Sequence, residues 1–201
     1  MIRALARALR RFARAEEGTS TVEFVLCLPV VMFVFMASFE GGIVMVRQVL
    51  LERSTDVVMR ELRLGLIEPP PTGSTKTMHD ILKDDICGQV TMMINCRGQI
   101  AIEIIAVDRN TWTLPSGNAP CVDRPKAVHP VTTLTIGQQN SIMLVRVCVI
   151  QDAFFPFVGI GKWIKISDTD KTGYRVITIG SFVNEPSASG SGSGSSSGSG
   201  T

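Results

Sequence analysis

The 201-residue chain lacks several features that would indicate an enzyme or a nucleic-acid-binding protein. Its formal net charge is only +2, which is too small to favour nucleic acid as a partner. It has two isolated histidines, His79 and His129, and no Cys-x-x-Cys pair, so disulfides are favoured over a zinc site. No Ser/His/Asp pattern and no phosphate-binding loop occurs. We therefore expect no catalytic residue, no metal, no cofactor and no small-molecule substrate.

Formal charge is also missing from one long stretch near the N-terminus. Residues 24–39 read FVLCLPVVMFVFMASF, and after Glu40 the apolar character continues to Val46. This stretch accounts for the positive mean hydropathy of the chain, +0.25. A spanning helix needs about 20 apolar residues at a rise of about 1.5 Å each. Residues 24–46 are thus long enough to cross a membrane, provided that Glu40 lies near the outer interface.

The segment before this stretch is basic, with five arginines against two glutamates: Arg3, Arg7, Arg10, Arg11 and Arg14, against Glu16 and Glu17. Arginine and lysine close to a span favour the cytoplasmic side, and acidic residues matter little. We therefore expect a cytoplasmic N-terminus and an exported chain after Val46. A cleaved secretory signal is the alternative, but the apolar stretch is long and no clear small-x-small site follows it. The two glutamates argue against a mitochondrial presequence.

The five cysteines divide by position. Cys27 lies inside the apolar stretch and is expected to stay a free thiol, whereas Cys87, Cys96, Cys121 and Cys148 lie downstream. An even set outside the anchor is typical of disulfides in an oxidising compartment. Of the three possible pairings we favour Cys87–Cys96 with Cys121–Cys148. The first would close a short local loop, and the second would hold a long loop on a sheet.

The junction between leader and apolar stretch carries the most informative motif, EEGTSTVEFVLCLP. Gly18 stands just before the apolar stretch, Glu23 is the fifth residue after it, and Phe24 follows. A glycine suits the extended, open backbone that a protease cleft needs. A carboxylate at the edge of the hydrocarbon is costly and should have a partner. The alternative is that Glu23 is simply an interfacial residue near the start of a helix, where the dipole favours anions.

This arrangement resembles a class III (type IV prepilin) signal, in which a membrane aspartyl peptidase cuts after the glycine. The small polar Thr19 after the glycine, the pair Glu23-Phe24, and Leu28-Pro29 inside the span are similar to TadE/TadF-like pseudopilins. These are minor pilins of the tight adherence (Flp, type IVb) pilus system. General secretion pseudopilins usually carry a bulky residue directly after the cut, and Thr19 departs from that pattern.

The resemblance implies cleavage between Gly18 and Thr19 by a prepilin peptidase. It also implies that Glu23 pairs with the new α-ammonium group of a neighbouring subunit. The implied partners are the membrane, the peptidase, other pilin or pseudopilin subunits, and the pilus assembly platform. The implied location is the bacterial inner membrane with a periplasmic C-terminal domain, or the pilus itself. The implied role is pilus assembly, as initiator, tip or platform component, and hence surface adhesion.

Several alternatives stay open at this point. The residues do not separate a TadE-type from a TadF-type role, nor a tip, shaft or platform position. A rival class is an uncleaved, single-pass, membrane-anchored periplasmic assembly or binding protein. A membrane-tethered hydrolase is a weaker third option.

Beyond the span, the pattern predicts a continuous helix from about Thr19 to about Leu66, roughly 70 Å long, ended by Gly65 and by the prolines at 69–71. Pro29 should kink or loosen it. Gly41-Gly42 is a second weak point, a close-packing face, or a tolerated irregularity. The predicted buried face of its exported half consists of Val46, Val49, Leu50, Val57, Val58, Leu62 and Leu66. Charged residues, including Arg47, are assigned to the other face.

Residues 75–90 predict a second helix, with an inward face of Met78, Ile81, Leu82, Ile86 and Val90. Its acidic residues, Asp80, Asp84 and Asp85, are interpreted as a solvated face. Residues 99–108, 141–150 and 173–183 predict strands, and 108–131 an irregular loop. The apolar segment 154–163, FFPFVGIGKW, either covers the sheet, which is favoured, or contacts neighbours or membrane.

These elements predict an α+β, pilin-like fold in which a long N-terminal helix packs on a small antiparallel sheet with a second helix. The predicted organisation has five parts. They are a cytoplasmic leader (1–18), the transmembrane half of the long helix (19–46), its periplasmic half (47–71), a disulfide-bonded periplasmic α+β domain (72–185) and a Gly/Ser-rich tail (186–201). The tail is low in complexity, and is either a native flexible end or an added linker.

Overall fold

The computed structural model describes residues 19–71, 73–115, 117, 119–124, 133–135, 140–164, 166 and 172–184. The predicted leader with Gly18, His129 and the Gly/Ser tail lie outside these residues. The described part contains one long helix, one helix of 12 residues, two short helical segments and three strands. The predicted α+β fold is confirmed.

The long helix, α1, comprises Thr19–Arg63 and continues without a break through Pro29 and Gly41-Gly42. At 1.5 Å per residue, its 45 residues extend over about 68 Å. An 18-residue window of this helix has a mean hydropathy of 2.3 and buries none of its residues against the rest of the chain. By length and composition, α1 can therefore cross a membrane.

The helix ends in a left-handed glycine turn. Gly65 has φ of 69°, and its N–H donates to the carbonyl of Leu62 at 3.1 Å. The N–H of Leu66 donates to the carbonyl of Glu61 at 3.0 Å. These two bonds form the Schellman pattern, which satisfies carbonyls that a helix end leaves without partners. The predicted termination at Gly65 is confirmed.

Three antiparallel strands form one sheet in the order β1-β2-β3. They are β1 (Ile100–Val107), β2 (Ile142–Asp152) and β3 (Gly173–Val183), which agree with the three predicted strands. In the register, Val147 at the centre of β2 lies opposite Ile102 of β1 and Thr178 of β3. The alternation of side chains along each strand therefore gives the sheet one face toward the helices and one away from them.

The second helix, α2 (Met78–Gln89), begins with a capping box. The Thr77 hydroxyl accepts from the Asp80 N–H at 3.3 Å, and the Asp80 carboxylate accepts from the Thr77 N–H at 2.9 Å. The backbone N–H and the hydroxyl of Thr77 lower the pKa of Asp80. Asp80 thus caps the helix as well as facing solvent. The four-residue α3 (Cys96–Gln99) follows.

The main core lies between the inner face of the sheet and the two helices. Its members come from every layer: Leu51 and Val58 of α1, Leu82 and Ile86 of α2, Ile100, Ile102 and Ile104 of β1, and Val145, Val147 and Val149 of β2. The inward residues predicted for α2 include Leu82, Ile86 and Val90, which are all buried. Gln151 is also buried and holds the 91–95 turn, because its side chain both donates to and accepts from the backbone of Ile94.

The outer face of the sheet is partly covered by the loop that follows β1. On this face Arg146 of β2 donates through Nε to Glu103 of β1 at 2.6 Å, and both side chains are buried. Arg146 also donates to the carbonyl of Gly117 in the loop. The Cys121–Cys148 disulfide joins the same loop to β2, with Cα atoms 5.2 Å apart. The pair and the disulfide together hold the loop on the sheet.

The second disulfide joins Cys87 of α2 to Cys96 of α3, with Cα atoms 5.7 Å apart. The structure therefore contains the same two pairings that the sequence favoured. Cys27 is an exposed free thiol on α1.

The predicted buried face of α1 is wrong in part. Val58 is buried, but Val46, Val49 and Leu66 are exposed, whereas Arg47 lies in the interior. The buried face of α1 also includes Glu40, Leu51, Ser54, Thr55 and Met59. Apolar periodicity missed this face because polar side chains occupy several of its positions.

We predict that peptide mapping under non-reducing conditions will recover two linked pairs, Cys87 with Cys96 and Cys121 with Cys148, and a free Cys27. The measurement is mass spectrometry of the full chain after alkylation and proteolysis. Four free downstream thiols, or a crossed pairing, would contradict the prediction.

Candidate functional site

The candidate site lies where the polypeptide between β2 and β3 contacts α1. Residues 153–164, here called the junction segment, include the short helix α4 (Gly159–Trp163). The ring of Phe39 on α1 makes edge contacts with Phe154 and Phe155, each at 6.2 Å between centroids. The junction segment therefore docks on α1 beside the end of the uncharged stretch. The favoured prediction, that this segment covers the sheet, is corrected accordingly.

Glycines lie where the junction segment packs closely, both against α1 and against itself. Gly159 has φ of 58°, and a Cβ placed there would lie 3.2 Å from the Cβ of Ala37. A Cβ on Gly161 would lie 2.3 Å from the carbonyl oxygen of Phe155, so no side chain fits there. On the α1 side, Gly41 lies against Ile160, whose Cδ1 would be 3.4 Å from an added Cβ. An added Cβ at Gly41 would therefore make an ordinary contact with Ile160, and one at Gly42 would meet nothing within 4 Å.

Glu40 holds the junction segment through its carboxylate. The side chain is fully buried, at 0% exposure. One carboxylate oxygen accepts from the N–H of Phe154 at 3.2 Å, and the other accepts from the N–H of Phe155 at 2.9 Å. A buried carboxylate is tolerated only with such partners, and charge-assisted bonds are stronger than neutral ones. Two consecutive backbone groups of the segment are thereby bound to α1.

Arg47 supports the same junction from two helical turns further along α1. It is 3% exposed, and its Nη1 donates to the Asp152 carbonyl at 2.8 Å and to the Tyr174 hydroxyl at 2.6 Å. Its guanidinium lies 5.4 Å from the ring centroid of Phe154 and 5.7 Å from that of Tyr174, within cation–π range. Burial raises the pKa of Tyr174, and the bond from Arg47 partly opposes that rise. Arg47 therefore ties the ends of β2 and β3 to α1.

The residues predicted to carry function lie elsewhere on the helix. Thr19 begins α1, Glu23 and Phe24 are exposed, and Pro29 lies inside the helix. Among the described residues, Glu23 has no hydrogen-bond or ion-pair partner. Within the described residues, Glu23 and Phe24 of the predicted cleavage motif are therefore not buried against the α+β domain.

Sequence reasoning placed Glu40 at the outer interface but missed its two backbone donors, and it assigned Arg47 to the solvent-facing side. A signal was present in the spacing, because Glu40, Arg47 and Ser54 recur every seven residues on one side of the helix. All three are buried in the structure.

His79 is half-buried rather than a simple surface residue. Its Nε2 lies 3.1 Å from the Ile102 carbonyl, and burial lowers the pKa of the imidazole. In the parts of the chain that the structure describes, no group of three or more His, Cys, Asp or Glu side chains is arranged to hold a metal.

The comparison with protein families concerns α1. Residues 18–60 match the family model described as TadE-like protein. The resemblance to this family is thus confirmed over a segment that ends three residues before α1 does. No curated protein and no solved structure matches the chain.

The TadE-like segment contains the predicted cleavage motif at one end and the junction residues Glu40 and Arg47 toward the other. The sheet, α2, α4 and both disulfides lie outside it. The junction is therefore the place where the TadE-like helix meets the part of the chain that the family model does not cover.

We predict that Glu40→Ala destabilises the α+β domain by about 2 kcal/mol, because two charge-assisted bonds are lost and two amides are left without acceptors. The measurement is urea unfolding of the full chain in detergent micelles, followed by tryptophan fluorescence. The matched control is Glu52→Ala on the same helix, where the carboxylate is exposed and, among the described residues, accepts only from Gln48. Equal unfolding midpoints for the two variants would contradict the role of Glu40.

Proposed function

We propose that this chain is a minor pilin of a tight adherence pilus, anchored in the membrane by α1 until it enters an assembly. The observation that carries the proposal is that the TadE-like match coincides with a helix whose most apolar 18 residues include none that is buried against the rest of the chain. A helix of this kind needs either lipid or other helices around it, and a pilus subunit meets both in turn.

The proposed topology has a cytoplasmic leader and a periplasmic domain. The arginines that precede the span support a cytoplasmic N-terminus. The two disulfides, which both lie beyond the span, support an oxidising compartment for the domain.

The proposed maturation step is peptide hydrolysis between Gly18 and Thr19 by a prepilin peptidase. Its support is the position of the motif, because Thr19 is the first residue of α1. The cut would remove the basic leader and leave an α-ammonium group at the start of the helix. The mature subunit would then be anchored in the bilayer by α1 without the basic leader and could be extracted into a fibre.

The proposed role of Glu23 is to pair with the α-ammonium group of a neighbouring subunit. Glu23 is exposed and lacks a partner among the described residues, which supports an intermolecular one. Beyond the uncharged stretch 24–39, α1 exposes Met45, Val46 and Val49, which offer an apolar surface to adjacent helices. The subunit would thus contribute α1 to the packing of the assembly and the α+β domain to its surface.

We predict that the mature protein from cells with the cognate prepilin peptidase begins at Thr19. The measurement is N-terminal sequencing or intact-mass analysis, with a strain that lacks the peptidase as control. Gly18→Leu should block the cut, because a large side chain hinders the extended backbone in the protease cleft. Retention of Met1 in wild-type cells, with no effect of Gly18→Leu, would support the rival class, an uncleaved anchored periplasmic protein.

We predict that Glu23→Ala is cleaved normally and remains in the membrane, yet fails to support piliation. The physical reason is that the variant loses the intersubunit charge pair while its apolar stretch is unchanged. Piliation is measured by electron microscopy and by surface adhesion, and Glu52→Ala is the matched control. Normal piliation of Glu23→Ala would remove the assigned role of this carboxylate.

A further inference from the structure

The junction segment exposes a compact set of large apolar side chains. Trp163 is 87% exposed and Phe157 is 73% exposed, and Phe154, Val158 and Ile160 are exposed to a lesser extent. Water contact at so many large side chains is unfavourable, and contiguous patches of this kind usually mark an interaction surface.

The position of this patch along α1 indicates its partner. The segment touches Ala37 and Phe39, which belong to the uncharged stretch 24–39. The uncharged stretch itself has 16 residues and extends over about 24 Å. The 20-residue stretch 20–39, with Glu23 near its start, extends over about 30 Å, which is the thickness of the hydrocarbon core. If this stretch spans the bilayer, the junction segment lies at the level where the helix leaves the hydrocarbon.

The side chains of the junction segment are of the types found at a membrane–water interface. Tryptophan is enriched at membrane–water interfaces, where its ring is amphipathic. Lys162, adjacent to Trp163, is exposed and carries a positive charge that can reach lipid phosphates. Phe157 and Val158 supply apolar area without any charge.

Several backbone N–H groups of the junction segment already have protein acceptors, which suits an environment poor in water. Backbone N–H groups without acceptors are costly inside a membrane. Irregular backbone therefore enters a membrane only where other protein groups accept its hydrogen bonds. Glu40 accepts from Phe154 and Phe155, and the N–H groups of Val158 and Ile164 donate to carbonyls within the segment. The buried carboxylate therefore supplies the acceptors that water would otherwise provide.

We propose that residues 154–163 form a second, non-spanning membrane contact, seated in the phospholipid interface on the far side of the bilayer that α1 crosses. The proposal rests on the membrane anchoring in the proposed function. The chemical partner is the glycerol and upper acyl region of the phospholipids. The contact holds the α+β domain against the membrane surface and must be broken when the subunit leaves the bilayer.

The test uses the two tryptophans of the full chain as depth probes. In Trp112→Phe the only tryptophan is Trp163, and in Trp163→Phe it is Trp112, which is exposed in the loop after β1. Each variant is reconstituted as one chain per nanodisc of phosphatidylethanolamine and phosphatidylglycerol. We expect brominated lipid to reduce the Trp163 emission about twofold and iodide in the buffer to have little effect. We expect the reverse pattern for Trp112.

Three outcomes would overturn the proposal. Quenching of Trp163 by iodide as strongly as Trp112 would show that the segment lies in water. Shielding of Trp163 from both quenchers, or shielding that appears only with several chains per disc, would indicate a protein neighbour instead of lipid. To separate these failures from a failure of anchoring, Cys27 is labelled with bimane in each variant. If brominated lipid quenches the bimane label while iodide quenches Trp163, α1 is in the membrane and only the proposed contact of residues 154–163 is wrong. If brominated lipid does not quench the label, the membrane anchoring by α1 is wrong as well.

Discussion

The carboxylate of Glu40 is buried away from water, and the placement of the α+β domain on α1 depends on its two hydrogen bonds. An uncompensated buried carboxylate would be prohibitively unfavourable, so the segment that supplies the donors must stay in place. Those donors are consecutive backbone N–H groups in the segment between β2 and β3. The carboxylate thus binds the domain to one position along α1, immediately after the uncharged stretch.

Arg47 makes this attachment rigid. Its guanidinium reaches the last residue of β2 and the second residue of β3 at the same time, and two aromatic rings lie within cation–π range of it. With Leu51 and Val58 further along α1, the helix contributes a charged attachment next to the uncharged stretch and an apolar one further along. A domain bound at both levels should follow the orientation of the helix closely.

Much of the fold was predictable from local patterns. The three strands follow from β-branched residues, α2 from its apolar spacing, and the end of α1 from Gly65. The buried face of α1 was not predictable in this way, because Val46 and Val49 are apolar but exposed while Arg47 is charged but buried. Apolar periodicity assumes that burial follows hydrophobicity. It fails where a buried charge finds its partners in a segment more than 100 residues away in sequence, as Glu40 does.

The proposed membrane contact of residues 154–163 depends on this arrangement, because Glu40 holds that segment on α1. The central claim is that Glu40 holds the junction segment on α1, and amide hydrogen exchange tests it most directly. In the full chain in detergent micelles, the Phe154 and Phe155 amides should exchange slowly, and Glu40→Ala should accelerate both about tenfold or more. The Val147 amide in the centre of the sheet should remain protected in both proteins. Rapid exchange at Phe154 and Phe155 in the wild type, or no acceleration in Glu40→Ala, would contradict the account.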